Sequence, residues 1–122
     1  AEACELIREN REKFSAWNLH LVEGFAPDVL TDLPAPDGVF AGGTKGNMDK
    51  IVDTALERNP HARICVSAIA LETLAAAAAA LAKRGLEAKV TQISVSRSRA
   101  AGKLHLMTAN NPVFLITGNC DA

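Results

Sequence analysis

Short apolar runs alternate with helical patterns through the middle of this chain, and this alternation restricts its fold more than any other feature. Gly38 to Ala41 and Ile64 to Val66 are apolar runs of strand length. Between them, residues 48–56 carry apolar side chains at the spacing i, i+3, i+4, i+7 and i+8 of an amphipathic helix. Leu71 to Arg84 is a second helical pattern, with a strongly helix-forming run of alanines. Strands that alternate with helices predict an α/β fold with a parallel sheet.

The segments before this region extend the same pattern. Residues 2–14 predict a helix with one apolar face, and Leu19 to Val22 predict a short strand. Residues 26–33 hold one or two predicted helical turns. A further helix and a further strand are therefore expected ahead of the alternating region.

The pattern changes after Gly85, which is the expected stop of the second helix. Leu86 to Ser96, Leu104 to Thr108 and Val113 to Thr117 all predict strands, and no helical pattern separates them. Strands joined by short connections pair antiparallel, because a parallel pair needs a long crossover. We therefore expect a mostly parallel sheet with antiparallel C-terminal strands added at one edge.

Length and charge exclude several classes of protein. The 122 residues suffice for one domain, residues 1–122, and 48% hydrophobic against 22% charged residues is typical of a globular chain. Thirteen basic and fourteen acidic side chains leave a net charge of −1, which argues against a nucleic-acid-binding domain. No apolar run approaches the ~18 residues of a membrane-spanning helix, so we expect no membrane partner.

The cysteines and histidines are scattered along the chain. Cys4, Cys65 and Cys120 form no CxxC pair, which argues against a disulfide framework and favours the reducing cytoplasm. The three histidines stand far from one another in the sequence. No spacing typical of metal ligands results, and we expect no metal site.

A glycine-rich segment joins the first apolar run to the first helical pattern. Ligands bind at the carboxyl ends of strands in open α/β sheets, and glycines there let backbone N–H groups approach an anion. The spacings of the P-loop and of the dinucleotide fingerprint are both absent. The alternative is a flexible turn without a ligand. The candidate binding residues of this loop are Gly42, Gly43, Thr44, Lys45, Gly46 and Asn47.

Three charged residues are further candidates for a binding site. Arg97 and Arg99 lie two positions apart, so on a strand they share one face. Two adjacent guanidiniums suit a ligand with several carboxylates, because each forms a bidentate pair; the alternative is a solvated strand end. Glu72 opens the alanine-rich helix just after a buried strand, and its alternative role is to stabilise the helix dipole.

Five strings in the sequence together resemble one family, the decarboxylating precorrin methyltransferases of cobalamin biosynthesis (CbiT type). This type occurs alone or as the C-terminal domain of a bifunctional precorrin-6Y C5,15-methyltransferase, and the resemblance covers the whole chain. The strings are VEGFAP at 22–27, PDGVFAGG at 36–43, LETL at 71–74, VTQISVSRSR at 90–99 and NPVFLITG at 111–118.

The resemblance implies a Rossmann-like fold that uses S-adenosylmethionine. It implies methylation at C-15 of a precorrin and loss of CO2 from the acetate chain on ring C. It assigns Gly24, Phe25, Ala26 and Gly42 to the cofactor, although the family more often has an acidic residue where Phe25 stands. It also implies a cytoplasmic homo-oligomer, a tetramer, and it names no residue as the general acid.

The substrate implied by the resemblance is a tetrapyrrole that carries many carboxylates. The loop from Gly43 to Asn47, Glu72, Arg97 and Arg99 would then bind the substrate. The protein would mainly position two reactants for methyl transfer.

The resemblance also implies that this chain is an N-terminally incomplete methyltransferase domain. The family's first two strands and the glycine-rich loop that holds the cofactor have no counterpart here, because Ala1 to Leu6 resemble the helix that follows them. We therefore expect the chain alone to be inactive and to bind S-adenosylmethionine weakly or not at all. The alternative is an inert or binding-only α/β fragment.

Overall fold

The structure is a computed structural model that describes residues 2–42 and 46–119. The chain divides into two compact units, residues 1–33 and 34–122. Within the described residues, no helix combines the length and the apolar character that crossing a membrane requires.

The first unit contains one α-helix, α1 (Glu2–Lys13), and a single turn of 3-10 helix at Asp28–Leu30. The prediction of a strand at Leu19 to Val22 is wrong, because these residues belong to neither sheet of the described chain. An extended segment becomes a strand only when a neighbour satisfies its N–H and C=O groups. The sequence pattern of a segment indicates a strand but does not show whether a partner strand is present.

The second unit contains the predicted alternation of strands and helices. Its strands are of five or six residues, and its two helices follow the first two strands. The elements are β1 (Gly38–Gly42), α2 (Met48–Arg58), β2 (Arg63–Ala68), α3 (Leu71–Lys83), β3 (Lys89–Ile93), β4 (Ser96–Ala101), β5 (Leu104–Ala109) and β6 (Val113–Gly118).

The main sheet has the strand order β1-β2-β6-β3. β1 and β2 pair parallel, and β6 pairs antiparallel with both β2 and β3, so β3 runs in the same direction as β2. The expected combination of parallel strands with antiparallel C-terminal pairing is confirmed, in a mixed sheet with one parallel and two antiparallel pairings. The position of the antiparallel strand differs from the expectation, because β6 lies inside the sheet and not at an edge.

The last strand takes the interior position because its side chains are the most apolar of the C-terminal segments. Ile116 is fully buried and stands between Val66 of β2 and Val90 of β3 in the register. The alternation within β2 shows which face is covered, since residues 64, 66 and 68 are buried and residues 65 and 67 only partly so. α2 and α3 pack on the buried face and complete one apolar core.

β4 and β5 form a separate two-stranded sheet, the hairpin, joined by Gly102 and Lys103. Gly102 has φ +63°, which fits the type II′ turn that places glycine first in a two-residue loop. Every residue of β5 and all of β4 except Ala101 are exposed. A two-stranded sheet of this kind is marginal by itself in water and gains stability from further packing.

An ion-pair network joins the two helices on their outer side. Arg84 Nε donates a hydrogen bond of 2.8 Å to Asp53 Oδ1, and its Nη2 lies 3.1 Å from Glu57 Oε1. The hydrogen bond from Arg84 lowers the pKa of the Asp53 carboxyl below its ordinary value. The network ties the C-terminal end of α3 to the C-terminal half of α2.

Candidate functional site

The carboxyl ends of β1 and β2 lie side by side, and each leads into a helix. The register pairs Gly42 with Ser67 at this end of the two parallel strands. α2 begins at Met48 and α3 at Leu71, so both helices present their first turns above the same edge of the sheet. This edge is where open α/β sheets bind ligands.

A cleft of about 290 Å³ lies between the first turns of the two helices. Its walls combine two carboxylates, one hydroxyl and small or apolar side chains. The residues that line it are Gly46, Met48, Asp49, Glu72, Thr73 and Ala76.

Gly42 at the end of β1 and Gly46 just before α2 have different physical roles. At Gly42, an added Cβ would stand 3.0 Å from Ser67 Oγ, a tight contact that would require the Ser67 side chain to shift by a few tenths of an ångström. Gly46 has φ +87°, and an added Cβ there would meet nothing within 4 Å. The left-handed backbone therefore favours glycine at position 46, and the space that a side chain would occupy there is open.

The structure brings together only part of the predicted substrate site. Gly46 and Glu72 line the same cleft, although they are far apart in sequence. Asn47 is the residue just before α2 and does not number among the described residues that line the cleft. Gly43 to Lys45 lie outside the described residues.

The two predicted arginines lie on the hairpin and not in the cleft. Arg97 and Arg99 share one face of β4, opposite Thr108 and Leu106 of β5. Both side chains are exposed, and within the part of the chain that the structure describes neither has a hydrogen-bond or ion-pair partner. Two guanidiniums are thus held close together and remain available to an anionic ligand.

The residues assigned to the cofactor by resemblance lie in both units. Gly24, Phe25 and Ala26 belong to the first unit, and Gly42 to the second. Gly24 has φ +153°, and an added Cβ would stand 2.2 Å from Val29 Cγ1, so local packing alone requires glycine there. Phe25 is 78% exposed, which leaves its ring free on the surface.

Four residues that line the cleft were absent from the sequence prediction: Met48, Asp49, Thr73 and Ala76. Their sequence signal was only their position in the first two turns of two predicted helices. A polar residue in a first turn is usually explained by the helix dipole, so it points to a site only when the partner helix is known. The two carboxylates of Asp49 and Glu72 make the cleft an acceptor of N–H groups.

Comparison with known proteins identifies the family. Residues 1–118 match the precorrin methyltransferase domain. The chain is 43% identical over 117 residues to a probable cobalt-precorrin-6B C(15)-methyltransferase (decarboxylating) of Pyrobaculum calidifontis, covering 95% of this chain and 60% of that protein. The chain thus spans about 60% of the length of the curated relatives it matches.

Solved structures give the same result. A structure from Methanobacterium thermoautotrophicum described as precorrin 8w decarboxylase has a TM-score of 0.89 and 31% identity, covering 98% of this chain and 65% of that one. Precorrin-6y C5,15-methyltransferase from Geobacter metallireducens has a TM-score of 0.85 and 36% identity, over 93% and 61%. These likenesses confirm the predicted Rossmann-like α/β class. The chain belongs to the precorrin methyltransferase domain family.

Proposed function

We propose that this chain is part of an S-adenosylmethionine-dependent methyltransferase that methylates C-15 of a precorrin and decarboxylates it in cobalamin biosynthesis. The observation that carries the proposal is the cleft between the first turns of α2 and α3, in a chain with 43% identity to a relative named for this activity. Residues 1–122 would be part of the methyltransferase domain.

The residues proposed to bind the cofactor are Gly24, Phe25, Ala26 and Gly42. Two of them have surroundings that suit this role. Gly42 leaves the end of β1 without a side chain, and the exposed ring of Phe25 offers an apolar surface to a planar adenine. Phe25 offers no carboxylate, so no acidic contact to the cofactor arises at this position. S-adenosylmethionine would supply the methyl group as an electrophile.

The residues proposed for the substrate divide by charge. Arg97, Arg99 and Lys45 would bind carboxylates of the tetrapyrrole, and Glu72 would lie near a pyrrole N–H group. In the reaction C-15 would gain the methyl group of the sulfonium while the macrocycle gives up one proton, and the acetate side chain would lose its carboxylate as CO2 and take up one proton in its place. The chain's contribution is to hold the macrocycle so that C-15 faces the methyl donor.

An assay of label transfer tests the proposed function. The protein, in the length in which its organism produces it, is incubated with a precorrin and S-adenosylmethionine labelled in the methyl group. We expect mass spectrometry to show a product that has gained one labelled methyl and lost one CO2. Glu72→Gln should lower the yield of this product, and Glu87→Gln, changed at an exposed site outside the cleft, is its matched control. Absence of both mass changes would favour the inert or binding-only alternative.

We further propose that the chain assembles in the cytoplasm as a homo-oligomer, which would be a tetramer as the resemblance to the family implies. The hairpin supports this, because Leu104 and Met107 are 66% and 68% exposed on a sheet of only two strands. A second copy of this chain would bury these side chains and pair the unpaired strand edges. The free thiols of Cys4 and Cys65 are compatible with a reducing compartment. Nucleic acid and membranes are not among the proposed partners.

Replacing Leu104 by aspartate should dissociate the oligomer. A charge on this exposed face would be desolvated in the assembly but stays solvated in the separate chain, so the expected result is a monomer by size-exclusion chromatography with light scattering. Leu6→Asp, at an exposed leucine of α1, is the control. A wild-type chain that is already monomeric would contradict the proposed assembly.

A further inference from the structure

A second cavity lies in the first unit and is lined by α1 and the segment that follows it. Its volume is about 360 Å³, and all of its lining residues belong to residues 1–33. Three charged residues of α1 and two apolar residues of the following segment line it: Arg8, Arg11, Glu12, Trp17 and Leu21. We call this cavity the arginine pocket. None of its residues is among those proposed to bind the cofactor or the substrate.

The two arginines of the pocket differ in their partners. Arg8 forms ion pairs with two carboxylates, because its Nη1 contacts Glu5 Oε1 and its Nη2 lies 3.3 Å from Glu23 Oε2. The side chain of Arg11 has no ion-pair or hydrogen-bond partner among the described residues. The charge of Arg8 is thus balanced within the first unit, whereas the charge of Arg11 is available to a ligand.

The Nε atom of Arg11 indicates where that ligand would bind. This atom is buried, and no acceptor within the described chain pairs with it. A buried donor without a partner costs about 1–3 kcal/mol, so an acceptor that enters the pocket relieves this cost. The guanidinium carbon lies 5.5 Å from the centroid of the Trp17 ring, a cation–π distance that positions the guanidinium. Its Nε–H and the adjacent Nη–H form a fork that matches the two oxygens of a carboxylate.

The other side chains of the pocket select among anions. Glu12 adds a negative charge to the lining, so a dianion is repelled more strongly than a monoanion. Trp17 and Leu21 offer apolar surface to the uncharged part of a ligand. The volume is sufficient for one aromatic ring and its substituent, since a cavity of about 150 Å³ already holds benzene.

We propose that the arginine pocket binds a small aromatic monocarboxylate. The carboxylate pairs with the Nε–H and Nη–H groups of Arg11, and the ring packs against Trp17 and Leu21. This inference is independent of the proposed function, because it uses no residue proposed for the methyl transfer. It gives the first unit a ligand-binding site of its own.

Titration of the full chain with benzoate tests this proposal through tryptophan fluorescence, because Trp17 is the only tryptophan in the sequence. We expect benzoate to change the fluorescence saturably. Benzamide, which has nearly the same shape but no charge, and inorganic phosphate should each bind about tenfold more weakly. Without saturable benzoate binding the proposal fails, and Arg11 Nε–H then pairs with water alone. Benzamide or phosphate binding as tight as that of benzoate would also overturn the assignment to a monocarboxylate.

Arg11→Gln removes the charge and keeps the fluorescent reporter, and we expect it to weaken benzoate binding by about tenfold. Lys13→Gln makes the same change of charge at an exposed residue of α1 outside the pocket and should leave the affinity unchanged. Arg11→Lys keeps the charge without the fork, so its affinity should fall between those of wild type and Arg11→Gln. Equal weakening by Arg11→Gln and Lys13→Gln would show only general attraction to a basic helix end and would overturn the proposal. The comparison of benzoate with benzamide needs no variant, so it decides the question even if Arg11→Gln does not fold.

Discussion

Leu81→Ala is expected to cost about 2–5 kcal/mol of the free energy of unfolding, the range for deleting a large side chain from a packed core. Leu81 has 0% exposure and lies on the buried side of α3. Its Cδ1 atom approaches the backbone of β6 so closely that a Cβ added at Gly118 would stand 3.0 Å from it. Alanine would leave a cavity between α3 and the sheet that neither element is able to fill.

The matched control for this variant lies in the same helix. Leu71→Ala makes the same chemical change at a site with 75% exposure, so we expect a change within about 0.5 kcal/mol. Urea denaturation followed by far-ultraviolet circular dichroism measures both. Equal losses at the two positions would contradict the assignment of Leu81 to the core and of Leu71 to the exposed surface. The two leucines thus separate a core position from an exposed one within a single helix.

The helices and the first two strands of the main sheet were predictable because they carry complete local patterns. Residues 48–56 have an apolar stripe that matches the buried face of α2, and Gly85 ends the following helix as expected. Val39 and Val66 mark strands that pack directly on those helices. In each case the residues that define the element also define the face that it buries, so the sequence determines both.

The parts that were not predictable depend on partners distant in the chain. The segment 19–22 has strand-like alternation, but no strand pairs with it among the described residues, so it is irregular. β6 lies between β2 and β3 because Ile116 completes the core there, which local pattern does not reveal. Pairing is a property of two segments, whereas periodicity is a property of one.

The candidate site was also predictable only in part, because some of its residues come together only in the folded chain. Glu72 was predicted from its place after a buried strand, and the structure adds Asp49 and Thr73 because α2 and α3 bring their first turns together. The exposed state of Ile69 and Leu71 was equally hidden, since aliphatic residues beside a buried strand are ordinarily read as core. Exposure is the observation that separates a surface position from a core position, and it requires the tertiary structure.

Replacing Arg97 and Arg99 together by alanine should weaken binding of metal-free uroporphyrin, a polycarboxylate porphyrin used as the probe, by about a hundredfold at low ionic strength. The two guanidiniums share one face of β4, and neither is neutralised by a carboxylate within the described residues. Each is therefore able to form a bidentate pair with a carboxylate of the probe. The loss should shrink as salt is added, because the screening of exposed charges is strong above about 0.1 M.

Three comparisons decide whether this loss reflects carboxylate recognition. The double change to lysine keeps both charges but not the planar fork, so its affinity should fall between wild type and the alanine variant. Arg63→Ala, an exposed arginine at the opposite end of β2, should leave binding unchanged. The alanine variant must also elute as the wild-type oligomer, since both arginines lie on the hairpin. If the alanine variant lost affinity equally for a fully esterified, uncharged probe, the arginines would be supporting structure and not binding carboxylates, because only a charge-specific contact distinguishes the acid from its ester.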